Sequence, residues 1–138
     1  MKAFLDTSAF AKRYVAEQGS DKVLDVCQKA DGLVVGVICL PELISTLSRL
    51  VRQKKLASAT YRKLKGDAMA DLGDVDICQI TPEVLASVVL LLELQPLRAM
   101  DALHVACALA CEPDIFVSAD RRQLSAASEA GLKVFDVS

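Results

Sequence analysis

Apolar positions along this chain take two alternating forms: short unbroken runs, and longer stripes at helical spacing. Ala3-Phe4-Leu5 is the first short run, and it stops at Asp6, with the hydroxyls of Thr7 and Ser8 following at once. That pattern reads as a buried strand handing over to a helix, which puts Asp6 at the strand's C-terminal end. The helix reads from Ala9 to Glu17, with Phe10, Tyr14 and Val15 inward and Lys12 and Arg13 outward. Gly19-Ser20 breaks it, and Ser20 can cap a second helix carrying Val23, Leu24 and Cys27 on one face. After the Asp31-Gly32 turn, Leu33 to Ile38 reads as the second strand.

The stripes are clearer downstream. Leu40, Leu43, Ile44, Leu47, Leu50 and Val51 follow i, i+3, i+4 spacing, with Pro41 suited to a helix's first position and Glu42 in its first turn. Residues 57–72 predict another helix, with Tyr61, Leu64, Ala68 and Leu72 inward. Val75 to Ile80 reads as a third strand, and Thr81-Pro82-Glu83 as a capped helix start running through Leu94. That helix is apolar on more than one face, so it is either deeply buried or meets a partner chain. The next helix, residues 99–111, is apolar or small throughout except for Asp101 and His104. Asp114 to Val117 predicts the fourth strand. Ser118-Ala119-Asp120 then leads into a helix over 121–130 that stops at Gly131, and Val134 to Val137 makes a last strand. Strand-helix alternation throughout argues an α/β fold with a parallel sheet, in one domain spanning residues 1–138.

Composition excludes more than it selects. At 138 residues the chain can bury roughly two thirds of its unfolded surface. There is no Trp and aromatics are scarce, which argues against a base-stacking RNA platform. A net charge of −2 exerts no overall pull on nucleic acid. The five cysteines form no Cys-x-x-Cys pair and His104 is the only histidine, so a zinc site has little to build on. No basic-then-apolar leader precedes the first strand and no uncharged run reaches about 18 residues. The expected setting is cytoplasmic and reducing, away from any membrane.

The candidate chemistry lies in four acids. Asp6 and Asp120 each leave a strand, while Glu42 and Asp101 sit near helix starts, and in a parallel sheet such positions converge on the C-terminal strand edge. Each has a plainer reading. Asp6 and Asp120 can simply cap helices, and Glu42 can simply favour the macrodipole. Asp101, in an interior helix, needs a cation, a donor or a proton: His104 at i+3 could be the donor, and a metal ion is the other answer. Four carboxylates without a thiol or imidazole cluster are hard oxygen ligands, suited to Mg²⁺ or Mn²⁺. Between Arg49 and Lys65 there are seven basic residues and no acidic one, which is either a solvated face or a positive arm.

Four blocks carry a resemblance. Leu5-Asp6-Thr7-Ser8-Ala9, Pro41-Glu42-Leu43, Met100-Asp101-Ala102-Leu103-His104-Val105-Ala106 and Ser118-Ala119-Asp120-Arg121-Arg122 resemble the signature blocks of PIN-domain ribonucleases. The match is closest to the VapC-like toxins of prokaryotic toxin–antitoxin pairs. The resemblance covers the whole chain, in family order and spacing, with Ser118 standing where the family usually has Thr. It implies a three-layer α/β/α sandwich around a mostly parallel sheet, and a metal-dependent endoribonuclease holding Mg²⁺ or Mn²⁺ on Asp6, Glu42, Asp101 and Asp120. It also implies an RNA substrate, a small antitoxin partner and a homodimer. Asp6 and Asp101 are expected as direct ligands, Glu42 as direct or water-mediated, and Asp120 as binding a second ion or orienting the water. Thr7 and Ser118 are expected to donate to these carboxylates. Arg49, Arg52, Lys54 and Lys55, with Arg121 and Arg122, are the residues that would guide RNA to an acidic protein.

Two rival readings are a catalytically silent PIN-fold binding module and a receiver-like signalling domain. The receiver would want paired acids after the first strand, an Asp after the third and a Lys near the last. Here Asp6 stands alone and the third strand ends in Ile80-Thr81.

Overall fold

The computed structural model describes all of residues 1–138. Its elements, in chain order, are β1 (Lys2–Leu5), α1 (Thr7–Ala11), α2 (Ser20–Lys29), β2 (Gly32–Gly36), α3 (Cys39–Arg52), α4 (Ser58–Leu72), β3 (Asp76–Cys78), α5 (Pro82–Leu94), α6 (Ala99–Cys111), β4 (Ile115–Ser118), α7 (Arg121–Glu129) and β5 (Val134–Asp136). The strands form one sheet in the order β3-β2-β1-β4-β5, and every neighbouring pair is parallel.

The period of two along each strand sorts side chains into two cores. Ala3, Leu5, Val35 and Val117 face one side, where Phe10, Val23, Leu43, Leu47 and Ala68 of α1 to α4 cover them. Phe4, Val34 and Phe116 face the other, under Val84, Val88, Val105 and Leu124 of α5 to α7, and the Phe4 and Phe116 rings stack at 5.7 Å. The expected three-layer sandwich is therefore the fold observed. The chain winds outward from β1 through β2 to β3, then returns to the other side of β1 with β4. This reversal opens a crevice beyond the C-terminal ends of β1 and β4.

Several sequence expectations shift. The first helix starts at Thr7 and ends at Ala11, not Glu17, because Asp6 caps it and residues 12–14 turn back through i→i−3 hydrogen bonds. Arg13 and Tyr14 are drawn to Asp71 of α4, at 3.3 and 2.7 Å. Once the helix ends its periodicity ends too, and Lys12, expected outward, is buried, its Nζ donating to the Gln18 carbonyl and Glu17. In α2, Val23 and Val26 are buried while Leu24 is half exposed, and Gly19, not Ser20, occupies the N-cap position. Strands β2, β3 and β5 are shorter than their apolar runs; β2 ends at Gly36 because the chain must turn into α3 at Cys39. Pro41 is consequently the third residue of α3, still where its missing N–H leaves no bond unmade. Thr81 caps α5 as expected, accepting from the Val84 N–H at 3.2 Å.

All five cysteines are free. Burial pushes the Cys39 and Cys111 thiols up to about 12 and raises Cys27, Cys78 and Cys107 as well. Such thiols are poor nucleophiles and behave as small apolar residues. No helix is long and apolar enough to cross a membrane.

Candidate active site

The crevice beyond β1 and β4 is an open cleft of about 670 Å³. Glu42, Asp101 and Asp120 line it, each from a different helix start, and Asp6 lies fully buried behind Thr7 and Ser8 at the end of β1.

Asp6 has the most elaborate support. Its carboxylate accepts from Ser8 Oγ at 2.7 and 2.9 Å, from the Ala9 N–H at 2.9 Å and from Ser118 Oγ at 2.7 Å. The two hydroxyls are themselves fixed by the chain leaving β4, since Ala119 N donates to Ser8 at 3.0 Å and Asp120 N to Ser118 at 2.9 Å. Of the two hydroxyls expected to donate to the acids, Ser118 thus bonds Asp6 and Thr7 bonds Glu42, at Oε1 and 2.6 Å. Burial pushes the Asp6 carboxyl above its ordinary value, only partly opposed by the nearby His104 ring and by these hydrogen bonds.

Glu42 sits half buried in the first turn of α3. Its Oε1 accepts from Thr7 and from His104 Nε2. Burial works to raise this carboxyl, but the hydrogen bonds from His104 and Thr7 outweigh it and hold it below the usual value. Asp101, buried in the first turn of α6, accepts from Gln123 Nε2 at 3.1 Å and pairs with Arg98 Nε at 3.4 Å. The donor that the sequence suggested for Asp101, His104, points instead toward α1 and α3. Helical spacing put the two residues on neighbouring positions, but the rotation of α6 against the sheet decides what each one meets. Asp120 caps α7, its Oδ1 accepting from the N–H groups of Arg122 and Gln123 at 2.9 and 3.1 Å.

Among the basic candidates, Arg49 lines the cleft. Arg52 lines a separate hollow with Ser48, Val51 and Tyr61, and Lys54 and Lys55 are exposed at the corner between α3 and α4. Arg121 and Arg122 are exposed on the first turn of α7. Sequence reading missed Arg98 and Lys12 as cleft cations, Ser8 and Gln123 as groups that hold the acids, and Glu42 as the partner of His104. Gln123 did leave a signal: Asp120-x-x-Gln123 is a capping-box spacing, although the Gln123 amide turns to Asp101 rather than back to the cap.

No three acidic, thiol or imidazole side chains stand close enough together to enclose an ion as they are placed. The donor set nevertheless fits a hard divalent cation, because the acids lining the cleft and Asp6 behind it are all carboxylates; Oε2 of Glu42 and Oδ2 of Asp120 carry no hydrogen bond, whereas both oxygens of Asp6 and of Asp101 are engaged. Arg98, exposed and held to Asp101 by one long contact, can leave as a cation arrives.

A doubly wound parallel sheet with acids gathered at its switch point defines an α/β domain with a polar, acid-lined site. The PIN domain family model matches residues 3–129, and the chain belongs to that family. Among solved structures it is similar to the VapC20 toxin of Mycobacterium tuberculosis, described as a Sarcin-Ricin loop cleaving toxin, at 16% identity and TM-score 0.70, covering 94% of this chain and 95% of that one. It is also similar to FitAcB from Neisseria gonorrhoeae, at 15% identity and TM-score 0.72 over 98% and 97% of the two chains. A third is VapBC2 from Rickettsia felis, bound to a promoter DNA fragment, at 13% identity and TM-score 0.70 over 99% and 98%. No curated protein matches the sequence.

Proposed function

We propose that this chain is a Mg²⁺- or Mn²⁺-dependent endoribonuclease and the toxin of a VapBC-type toxin–antitoxin pair. The observation that carries the reading is that Glu42, Asp101 and Asp120 line one cleft of a PIN-family fold from three helix starts, with Asp6 buried directly behind Thr7 and Ser8 of its wall. In this reading Asp6, Glu42 and Asp101 hold the ion, and Asp120 holds a second ion or orients the attacking water. A divalent ion held there would supply Lewis acidity, activating a water and offsetting charge on the leaving oxygen. The hydroxyls of Ser8 and Ser118 keep Asp6 aimed, and Arg49 and Arg98 offer charge to the phosphate that enters the cleft. Purified protein should cleave RNA in Mg²⁺ or Mn²⁺, stop in EDTA and resume when metal is restored. Cleavage by a verified metal-free preparation would sink the mechanism.

RNA approaches an acidic protein, so local charge has to guide it. Arg52, Lys54 and Lys55 are exposed on the basic corner, and Arg121 and Arg122 are exposed on the first turn of α7, next to Asp120. Changing Arg52, Lys54 and Lys55 together to Ala should weaken RNA binding and reduce the slope of log affinity against log salt by about 0.7 per lost phosphate contact. An unchanged slope would leave the corner as a solvated face.

The partners proposed are a small antitoxin, as in the toxin–antitoxin complexes among the similar structures, and a second copy of this chain. Supporting the dimer, α5 buries Val84, Val88 and Leu91 but exposes Leu85, Val89, Leu90, Leu92 and Leu94 on its outer side. That much apolar surface on one helix marks a contact face. Light scattering that returns a single-chain mass would remove the dimer from the reading. Five free thiols accord with a reducing, cytoplasmic setting.

A further inference from the structure

The helix α6 packs Ala102, Val105, Ala106, Cys107 and Ala108 into the core, and in the same buried layer it carries the chain's single histidine. The His104 side chain is 1% exposed. Its Nδ1 is buried with no hydrogen-bond partner, which is destabilising and which an aliphatic side chain at this position would avoid. What the ring does provide is at Nε2. That nitrogen meets Glu42 Oε1 and lies 3.1 Å from Thr7 Oγ1, whose hydroxyl donates to the same Glu42 oxygen at 2.6 Å. With Nε2–H donated to the carboxylate, His104 and Thr7 together engage Oε1 and leave Oε2 as the oxygen without a protein partner.

We propose that His104 is a positioning residue for Glu42: held rigid by the core of α6, it locks one carboxylate oxygen so that the other is presented to the cation in the cleft. The proposal rests on the metal-dependent reading of the site. An exposed glutamate at a helix start would sample several rotamers, and ordering it would fall on the metal-binding step. A ring that cannot move removes that freedom in advance. Thr7 alone cannot do so, because its hydroxyl is half buried and rotates. Outer-shell partners of this kind typically set metal affinity or activity by 10–100-fold.

Two amides of different reach separate this role from simple core filling. In His104→Gln the side-chain nitrogen falls near the position of Nε2 and can still donate to Glu42. In His104→Asn it falls near Nδ1 and cannot. Mn²⁺ affinity is read directly, by the loss of free Mn²⁺ signal in electron paramagnetic resonance, alongside thermal unfolding in EDTA and RNA cleavage against Mn²⁺ concentration. His104→Asn should bind Mn²⁺ about 10-fold or more weakly, and His104→Gln should remain within about 3-fold of the unaltered protein. The cleavage midpoint in Mn²⁺ should follow the same order. Equal Mn²⁺ affinity in all three proteins would overturn the role, as would equal weakening by both amides; a lowered melting temperature with unchanged affinity would make His104 structural only. Unaltered protein that binds no Mn²⁺ would overturn both this role and the metal-dependent reading. Ordered Mn²⁺ affinities without RNA cleavage would support the role of His104 and overturn the nuclease reading alone.

Discussion

Asp6→Asn should end RNA cleavage and yet raise the melting temperature of the metal-free protein near neutral pH. Asp6 is fully buried, and burial holds its carboxyl above the ordinary value of 3.8. A carboxyl whose folded pKa is raised binds its proton more tightly in the folded state, so its contribution favours folding below about pH 3.8 and is lost as pH rises through the folded value. At neutral pH the buried charge is therefore a standing penalty, and asparagine removes it while keeping the shape. The asparagine carbonyl can still accept from Ala9 N, and the hydroxyls of Ser8 and Ser118 can turn to meet its amide. For a chain of this length each kcal/mol moves the melting temperature by about 4 °C. The advantage of the variant should shrink as pH falls from 7 toward about 4 and should reverse in Mg²⁺, where only the original protein gains from ion binding. Cleavage should fall by about 100-fold or more, since an amide is a poor ligand for a hard cation. Thermal unfolding in EDTA across that pH range is the check. A variant that melts lower at every pH would show that the hydrogen bonds to Asp6 outweigh its burial, and retained cleavage would remove Asp6 from the chemistry.

The second large effect lies away from the cleft. Gly19 has φ +90°, and a Cβ there would stand 1.7 Å from the carbonyl oxygen of Val137 and 2.9 Å from its carbon. Both are backbone atoms, and Val137 is fully buried with its N–H donating to Ser118 O at 3.0 Å. Nothing flexible can yield, so Gly19→Ala must displace either the start of α2 or the segment after β5. The left-handed backbone alone costs an alanine about 1–2 kcal/mol. With the forced displacement added, a total loss of about 3 kcal/mol or more is expected, near the upper end for single substitutions. Gly131 is the control, with φ +98° and nothing within 4 Å of an added Cβ, so Gly131→Ala should show the backbone penalty alone. Urea unfolding of both variants decides it. If Gly19→Ala is no worse than Gly131→Ala, the contact with Val137 carries no weight.

Much of this architecture was legible because long amphipathic helices and their caps are local properties. The stripes of α3 and α4, the Thr81-Pro82 start of α5, and Gly131 after α7 each report on their own few residues. That Glu42, Asp101 and Asp120 would reach one edge of the sheet, with Asp6 ending β1 just behind it, was legible for a different reason: strand-helix alternation constrains where strands end, even when strand lengths are misjudged. What could not be read were the partners. Lys12 turned inward because Arg13 and Tyr14 are claimed by Asp71, some sixty residues downstream, which ends α1 early. The burden of a buried charge, expected on Asp101, falls on Asp6, because Arg98 and Gln123 reach Asp101 while no cationic side chain bonds Asp6. His104 meets Glu42 for the same kind of reason. Partner choice depends on how helices are rotated on the sheet, and no local pattern encodes that.

The position of β1 also has a consequence in time. Ala3 pairs with Leu33 on one side and with Ile115 on the other, so β1 is completed by a strand made long after it. A nascent chain that has emerged only as far as α6 has Asp6 without the hydroxyl of Ser118, Asp101 without the amide of Gln123, and no Asp120 at all. Long-range parallel pairing of this kind is slow to form. On the proposed reading, the polypeptide stays harmless until β4 and α7 have been made, and the hazardous form arises only after they dock. Pulsed hydrogen exchange during refolding should find the β1–β4 amides among the last to be protected, and early protection there would contradict that order.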